Sequence, residues 1–387
     1  MEETTQKKGT VKRVVLIVLI LLLSLFILTA AVAMIYLNHL LNQINRVDPE
    51  LEYTLSSSEA EDFLETDPDL VPTEPGSSET YPDINDIIFP TYDPNPTQPS
   101  LPDHSIPTDP TEPSTQPTEP APQIYGDHLV NILLVGQDRR EGQGRQRSDT
   151  MILVSFNKSD STITLTSFMR DMYVQIPGYK PNRLNAAYAF GGMKLLYETM
   201  ELNFGVKIDG MVEVDFSGFT TIIQRLGGVT VMLNEAEAKY LNDLYEAKFL
   251  DSPVVVGQNR LDAKQAQVYV QLREIDSDYH RTERQREVIS SLIQDYKDQP
   301  LDQMLVLLED LLPYVTTDLS NTQILGYAMD LFPMLTSSQI NTLRLPLNGT
   351  YQSGLVHIRE GFYAWLQYNI DFAANREALF EIFRDKG

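Results

Sequence analysis

The hydrophobic pattern begins with one long apolar stretch. Residues 14–37 include no charged side chain, and this run is longer than the ~20 apolar residues that an α-helix needs to cross a bilayer. Four basic residues precede it, so the positive-inside rule places the N-terminus in the cytoplasm and the rest of the chain outside. Ala31-Val32-Ala33 resembles a signal-peptide cleavage site, but the apolar core of a signal peptide usually spans only ~7–15 residues. We therefore expect a cytoplasmic tail at 1–13 and an uncleaved transmembrane anchor at 14–37.

From Leu129 onward, short apolar runs alternate with helical periodicity. The pattern predicts strands at 129–135, 151–156, 162–168, 229–233 and 342–347. It predicts helices at 191–203, 216–226, 262–270, 281–297, 302–314 and 321–335, followed by two more, at 362–368 and 374–383. This alternation indicates a single α/β domain at 126–387, in which a central mixed sheet lies between helices in an α-β-α arrangement.

The segment between the anchor and this domain is acidic and rich in proline. Residues 48–125 contain 18 Asp or Glu, no Lys or Arg, and 16 of the 23 prolines. Proline removes backbone donors and like charges repel, so such a composition does not bury enough apolar surface to fold. We expect residues 38–125 to form a disordered extracellular linker that reaches on the order of 100–200 Å.

Composition excludes several kinds of chemistry. The formal net charge is −24, which argues against nucleic-acid binding because that requires a basic surface. The absence of cysteine excludes disulfides, thiolate metal sites and cysteine nucleophiles. The sequence also has no glycine-rich phosphate loop, no Gly-x-Ser-x-Gly elbow and no His-Glu-x-x-His pair.

Polar residues cluster where the first predicted strands end. Asp138 follows the first strand, Asp149 precedes the second, and Arg170 follows the third. Ligands of open α/β sheets bind at such strand ends. If the first two strands pair as a hairpin, the two carboxylates approach each other, and a cation such as Mg²⁺ relieves their repulsion. The alternative is that both aspartates only cap turns and pair with surface arginines.

A second polar cluster covers residues 271–286, where four arginines occur within sixteen residues. On a helix that begins near Tyr279, Arg281, Arg284 and Gln285 share one face. Arginine is suited to bidentate binding of phosphate oxygens. The alternative is a solvated helix whose arginines pair with neighbouring glutamates.

Taken in order, these segments resemble the LytR-CpsA-Psr family over about residues 126–347. The matching motifs are Gly136-x-Asp138-x-Arg140, Arg147 to Thr150, Arg170-Asp171, Arg183 to Gly192, Asp215-Phe216-x-Gly218-Phe219, Leu226 to Val229 and Arg273 to Gln285. The predicted layout of short tail, single anchor, linker and extracellular domain resembles that family as well.

The resemblance implies a magnesium-dependent phosphotransferase of Gram-positive cell-wall biogenesis. Such proteins transfer a glycopolymer, for example teichoic acid or capsule, from a polyprenyl-pyrophosphate carrier to peptidoglycan and form a phosphodiester bond. The implied partners are the lipid-linked glycan, peptidoglycan and the cell membrane, with no nucleic acid.

The resemblance also assigns roles to individual residues. By motif position, Asp138 and Asp149 hold Mg²⁺, and Asp278 is the candidate general base beside the catalytic Arg170 and Arg273. The implied pyrophosphate ligands are Arg140, Arg170, Gln271, Arg273, Arg281 and Gln285. Gln271 stands where the family usually has arginine, and a neutral amide forms a weaker hydrogen bond than a charged donor.

The apolar face of the helix at 216–226 is a candidate slot for the lipid tail. Its side chains are Phe216, Phe219, Ile222, Ile223 and Leu226. The alternative is that they pack against the sheet as core.

Two other functions use the same residues. A pyrophosphatase would act on the same lipid-linked substrates with water as the acceptor. A non-catalytic membrane sensor or transcriptional attenuator would bind the lipid and only signal, although the predicted cytoplasmic tail is too short for a DNA-binding domain.

Overall fold

The structure is a computed structural model. It describes residues 33–65, 71–72, 126–137, 146–297, 299, 303, 309–335, 339–359 and 362–384. Asp138, Arg140 and most of the predicted anchor lie outside these residues. Within the described part of the chain, no helix is both long enough and apolar enough to cross a membrane.

A seven-stranded mixed sheet forms the centre of the domain. Its strand order is β1 (Asn45–Arg46), β11 (Thr316–Thr317), β8 (Gly210–Asp215), β3 (Leu129–Gln137), β4 (Ser148–Asn157), β5 (Thr162–Phe168) and β12 (Gln339–Leu345). Strand β3 pairs antiparallel with β4 and parallel with β8, while β5 pairs antiparallel with β4 and parallel with β12. The predicted mixed sheet and its first three strands are therefore confirmed.

Helices cover both faces of this sheet. They are α1 (residues 33–41), α2 (Ser57–Glu65), α3 (Leu184–Phe204), α4 (Phe216–Arg225), α5 (Glu235–Glu246), α6 (Ala263–Gln271), α7 (Asp278–Tyr296), α8 (Asn321–Leu335) and α9 (Phe372–Phe383). On β4, Met151 and Leu153 face the core formed with α3 and α9, whereas Ile152 and Val154 face Ile289 of α7. Because successive side chains of a strand point to opposite faces, a strand covered on both sides is apolar throughout.

Smaller strands lie outside the central sheet. They are β2 (Val71–Pro72), β6 (Tyr173–Val174), β7 (Asn182–Arg183), β9 (Val229–Leu233), β10 (Gly257–Leu261), β13 (Gln352–Arg359) and β14 (Phe362–Tyr368). The antiparallel pair β9–β10 packs with helices α4 to α7 around a second hydrophobic core. That core seats α7, which carries the arginine-rich segment.

The predicted helix at 362–368 is wrong, because this segment is strand β14. It pairs antiparallel with β13 and with β2. Ala364 and Leu366 are buried whereas Trp365 between them is exposed, which is the two-residue alternation of a strand rather than the period of a helix. Its aromatic composition also favours a strand.

Part of the range predicted as linker is folded against the domain. The side chains of Leu40, Leu41 and Ile44 are buried, and β1 adds to the edge of the central sheet beside β11. Further along, the backbone N–H of Leu55 donates to the carbonyl of Phe190 at 2.7 Å. The acidic, proline-rich composition is concentrated beyond these residues, so the apolar side chains near the anchor retain their ability to dock.

Candidate functional site

Several strands of the central sheet terminate at the same end of the sheet, and the candidate site lies at these strand ends. Strands β3 and β4 form the expected antiparallel pair, with Gly136 opposite Thr150 and Gln137 opposite Ser148. The register shifts between these two pairs, so Asp149 lies in a β-bulge. Bulges commonly redirect a side chain beside a functional site.

Arg170 lies at the centre of the described site. It follows β5, and its carbonyl accepts a hydrogen bond of 3.2 Å from the backbone N–H of Asn185 at the start of α3. Its guanidinium contacts Asp149, and its Nε lies 3.3 Å from Asp171 Oδ2 and 4.0 Å from Asp278 Oδ1. Burial acts to lower the pKa of Arg170, but the three surrounding carboxylates outweigh burial and raise it. This guanidinium therefore remains charged.

The first turn of α7 adds a second arginine and a third aspartate. Arg281 Nη2 lies 2.7 Å from Asp278 Oδ1 and donates to the carbonyl of Asp149 at 3.3 Å. Only 4% of Arg281 is exposed, and burial lowers its pKa. Both carboxylate oxygens of Asp278 are buried without a hydrogen bond of good geometry in the described structure. An acceptor of this kind can receive a hydrogen bond from a substrate.

Gln271 is the last residue of α6, and Arg273 lies in the connection between α6 and α7. Both residues are exposed. The charge of Arg273 contributes to lowering the pKa of Arg281, so the two guanidiniums lie near each other. The site therefore combines two buried arginines with an exposed one that a ligand from solvent can reach.

Two other residues on the same face of α7, Arg284 and Gln285, contact neighbouring elements of the protein instead of the site. Arg284 lies 3.1 Å from Glu237 Oε1 and 2.7 Å from Asp276 Oδ2, so it fastens the α6–α7 connection to α5. The side-chain amide of Gln285 donates to the carbonyl of Val270 at 3.2 Å. This bond ties α7 to α6, and the role of Gln285 as a pyrophosphate ligand stays a prediction.

Helix α4, which carries the proposed lipid slot, starts at the same end of the sheet. Asp215, which precedes it, pairs with Gln137 in the parallel register of β8 and β3. Ile223 and Leu226 are buried and Phe216, Phe219 and Ile222 are half-buried. Ile223 and Phe219 belong to the second core, so the core alternative describes these two residues, while Phe216 and Ile222 keep partly accessible apolar surface.

We call Asp149, Arg170, Asp278 and Arg281 the catalytic cage. Asp171 contacts it through Arg170 and Arg183 contacts Asp171, and the sequence gave neither residue a role. Arg183 is almost fully buried, and its Nη1 lies 3.9 Å from Asp171 Oδ1. Burial lowers the pKa of Arg183 to about 10. Adjacency to Arg170 was the available signal for Asp171, and an arginine just before an apolar helix was the signal for Arg183.

The arrangement suits binding of a diphosphate and proton transfer from a hydroxyl. Guanidiniums bind phosphate oxygens with charge-assisted bonds, and Asp278 supplies an acceptor beside them. Asp149 offers the hard oxygen donors that Mg²⁺ prefers. Within the described residues, no group of three or more His, Cys, Asp or Glu is arranged to hold a metal ion; the second predicted ligand, Asp138, lies outside them.

Known proteins resemble this chain in both sequence and structure. The LytR_cpsA_psr family matches residues 105–364. The polyisoprenyl-teichoic acid–peptidoglycan teichoic acid transferase TagT of Bacillus subtilis is 33% identical over 218 residues, which cover 55% of this chain and 66% of TagT. The regulatory protein MsrR of Staphylococcus aureus is 28% identical over 231 residues, which cover 59% of this chain and 68% of MsrR.

A solved structure extends the likeness to the fold. TagT bound to LIIa-WTA superposes with a TM-score of 0.53 at 27% identity, covering 68% of this chain and 95% of that chain. The chain thus spans slightly less than two thirds of the full length of TagT in sequence and nearly the whole of its solved domain in structure.

Proposed function

The chain belongs to the LytR-CpsA-Psr family, and from that premise we propose that it transfers a glycopolymer from a polyprenyl-pyrophosphate carrier to peptidoglycan. The observation that carries the proposal is the convergence of Asp149, Arg170, Asp278 and Arg281 at one end of the sheet. The relative TagT is a teichoic acid transferase, which supports a wall glycopolymer as the transferred group.

Phosphoryl transfer depends mainly on alignment and on neutralising charge in the transition state. In the proposed reaction, Arg170 and Arg281 bind the non-bridging oxygens of the pyrophosphate, and Arg273 contacts it from the exposed side. The acceptor hydroxyl gives its proton to Asp278, and its oxygen attacks the phosphorus that bears the glycan. The bond from that phosphorus to the bridging oxygen breaks, and prenyl phosphate leaves.

We propose Asp149 and Asp138 as the ligands of a Mg²⁺ ion at the pyrophosphate. A bound ion would neutralise part of the diphosphate charge. The hydrogen bond that the Arg170 guanidinium donates to Asp149 keeps that carboxylate aligned with the group that would bind the same substrate. Carboxylate oxygens are the ligand type that Mg²⁺ selects over nitrogen or sulfur.

We also propose that the domain works at the outer face of the cell membrane, with the prenyl chain passing along Phe216 and Ile222 of α4. Their partial exposure and the position of α4 at the same end of the sheet support this path. The uncharged stretch at 14–37 supports membrane anchoring.

The test is a coupling reaction with the full-length protein in lipid vesicles. A radiolabelled polyprenyl-pyrophosphate glycan is incubated with peptidoglycan oligomers and Mg²⁺, with an Asp149→Asn variant alongside. We expect labelled peptidoglycan with the wild type and at least a hundredfold less with the variant. Asp295→Asn is the matched control, because Asp295 pairs with Arg260 at the far end of α7.

Three outcomes separate the candidate functions. Labelled peptidoglycan supports the transferase. Release of phosphorylated glycan with no coupling would establish the pyrophosphatase instead. Tight donor binding with neither product would favour the sensor, an alternative that the regulatory name of the relative MsrR keeps in view.

A further inference from the structure

Two buried arginines lie beside the proposed catalytic cage without belonging to it. Arg286 on α7 is 6% exposed and Arg344 on β12 is 7% exposed. Nε and Nη1 of Arg286 and Nε of Arg344 are buried without a hydrogen-bond partner. Neither guanidinium forms an ion pair in the described part of the chain. Burial of a charged group is unfavourable unless a partner compensates for the lost water.

Among the described residues, the contacts of the Arg344 guanidinium are all with neutral side chains. Its guanidinium lies 4.3 Å from the centroid of the Tyr279 ring. Its Nη2 donates to Asn348 Oδ1 at 2.5 Å, and its Nη1 lies 3.0 Å from the sulfur of Met169. These neutral partners orient the guanidinium while its charge remains available to an anion.

Glu283, whose charge acts on Arg286, already accepts hydrogen bonds from other side chains. Glu283 accepts a hydrogen bond from His280 at 2.9 Å and another from the hydroxyl of Tyr279. Burial is the main cause that lowers the pKa of Arg286; Glu283 opposes this effect and the charge of Arg344 adds to it. Arg344 lies over the ring of Tyr279, and Arg286 follows Tyr279 by seven residues, or about two turns, on the same side of α7. An anion beside both guanidiniums would relieve the repulsion between their charges.

The arginine pair adjoins the catalytic cage through three elements. Arg344 stands opposite Ser167 in the register of β12 and β5, and Arg170 follows three residues later. The hydroxyl of Ser167 is also buried without a partner. On α7, Tyr279 follows Asp278 directly. A ligand in the cage and a ligand at this pair would therefore lie side by side at the same end of the sheet.

We propose that Arg286 and Arg344 form a second anion subsite, which binds a phosphate group of the donor beyond its pyrophosphate. This proposal rests on the proposed transferase function. Arg286 lies five residues after Arg281, about 7.5 Å along the helix and about 140° around it, so the two side chains leave α7 on different faces and would contact different phosphate groups. The guanidiniums of two arginines match the several oxygens of a phosphodiester. The subsite would then favour donors whose glycan itself carries phosphate.

The test compares two synthetic donors in binding assays with the full-length protein. Both carry the same prenyl pyrophosphate and sugar, and only one bears an added glycerol-phosphate unit. We expect the wild type to bind the phosphate-bearing donor more tightly. Arg286→Gln and Arg344→Gln should each weaken binding of that donor about tenfold and leave the plain donor unaffected. Arg260→Gln, at a half-exposed ion pair, is the control.

The possible failures are distinguishable. Equal weakening for both donors would show that the arginines are structural, and unchanged binding in both variants would also overturn the subsite. If the wild type binds neither donor, the proposed function fails. In that case a rise in melting temperature with inorganic phosphate, lost in both variants, still supports the subsite, and no rise overturns it. Arg344→Lys, which keeps the charge, should retain part of the preference if the variant folds.

Discussion

At the scale of single residues, the site depends on how Arg170 balances three carboxylates. Asp149, Asp171 and Asp278 all approach it, so without the guanidinium their charges would repel one another. In the proposed reaction, a substrate diphosphate would compete with these aspartates for Arg170 and Arg281. The aspartate oxygens that it releases could then take a cation or a proton, which is what phosphoryl transfer to a hydroxyl requires.

The Asp278→Asn variant tests the assignment of the general base. We expect kcat for coupling to fall by about 10²- to 10⁴-fold, because an amide does not accept the proton of the acceptor hydroxyl. The KM for the donor should fall or stay unchanged, since the variant removes a negative charge that competes for Arg281. Steady-state coupling measures both quantities. A variant that keeps more than a tenth of the wild-type kcat would rule Asp278 out as the base.

The pair formed by His280 and Glu283 predicts a pH-dependent contribution to stability. The hydrogen bond with Glu283 raises the pKa of His280, whose ordinary value is about 6.5. The stabilisation is therefore fully present below the pKa of the unfolded state and is lost as pH rises through the higher folded value. Both side chains are more than a third exposed, so solvent screening limits the effect to under about 1 kcal/mol.

Urea unfolding of the wild type and of His280→Gln measures this contribution. The variant should be less stable than the wild type at pH 5.5, where Glu283 stays ionised because its own pKa is lowered, and equally stable at pH 8.5. Glu283→Gln should show the same dependence on pH. An equal difference at both pH values would contradict the assigned protonation of His280.

Strand ends pointed to Asp149 and Arg170, and helical spacing pointed to Arg281, whereas Asp278 was assigned only through the family resemblance. Arg281, Arg284 and Gln285 share a helix face, yet only Arg281 reaches Asp149. Arg284 pairs with Glu237 of α5, a partner 47 residues away in sequence. Helical spacing gives the direction of a side chain relative to its own helix, whereas the partner depends on tertiary packing. The sequence assigned no role to Arg344 for the same reason, because its neighbours are also set by tertiary packing.

At the scale of elements, periodicity predicted most of the fold and failed where two periods fit one short segment. Strands β3, β4 and β5 are confirmed because they are apolar runs bounded by turns. In the segment 362–368, buried Ala364 and Leu366 flank exposed Trp365, but the apolar residues of the segment also fit one helical face. The pairing that makes this segment a strand is seen only in the assembled sheet: β13 is its neighbour in sequence, whereas β2 is distant in sequence.

Helix α3 contains a kink that depends on the segment before the domain. Gly191 and Gly192 leave the helical conformation, and Gly192 has φ of +66°. The carboxylate of Glu52 accepts a hydrogen bond of 2.7 Å from the backbone N–H of Met193, one of the donors that the kink exposes. The start of α3 packs beside Arg170, so the kink joins the docked N-terminal segment to the site.

Substitution of Gly192 tests this element. A Cβ at Gly192 would overlap the carboxylate of Glu52, and the positive φ disfavours any L side chain. We expect Gly192→Ala to lower the free energy of unfolding by about 1–3 kcal/mol. Gly326→Ala in α8 is the control, because the added Cβ meets no described atom within 4 Å and should be neutral or stabilise by about 0.5–1 kcal/mol. Equal effects of both substitutions in thermal unfolding would contradict the proposed strain.

At the scale of the whole molecule, the proline-rich segment is attached to the same domain at both ends. Val71 and Pro72 pair with β14, and β3 begins at Leu129. The chain between the predicted anchor and the domain is instead the short stretch that contains the end of α1, after residue 37, and β1. Arg46 holds this stretch in place through hydrogen bonds to the carbonyl of Leu41 at 3.2 Å and to Asn321 Oδ1 at 2.5 Å.

This connectivity changes what the acidic segment can do. A spacer sets the distance between two bodies only when it is the sole connection between them, and here β1 already joins the region after residue 37 to the central sheet. If residues 14–37 span the membrane, as the sequence predicts, the docked segment at 38–47 keeps the site close to the lipid surface. A site that binds a prenyl pyrophosphate needs that proximity, because the lipid tail does not leave the bilayer freely.

Replacement of residues 76–120 by a Gly-Ser linker of about 20 residues tests whether the acidic segment is a spacer that sets the reach of the site or a loop attached to the domain at both ends. We expect coupling to peptidoglycan by the vesicle-embedded protein to stay within a few-fold of the wild type, because β2 and β3 keep their attachments. Arg46→Ala, which removes the bonds that fasten the docked segment, should lower coupling more than the linker replacement does. A scrambled 76–120 sequence serves as the control of equal length and charge. A tenfold or larger loss with the Gly-Ser linker and full activity with the scrambled one would return the spacer role to the acidic segment, since length and charge repulsion would then set the reach of the site.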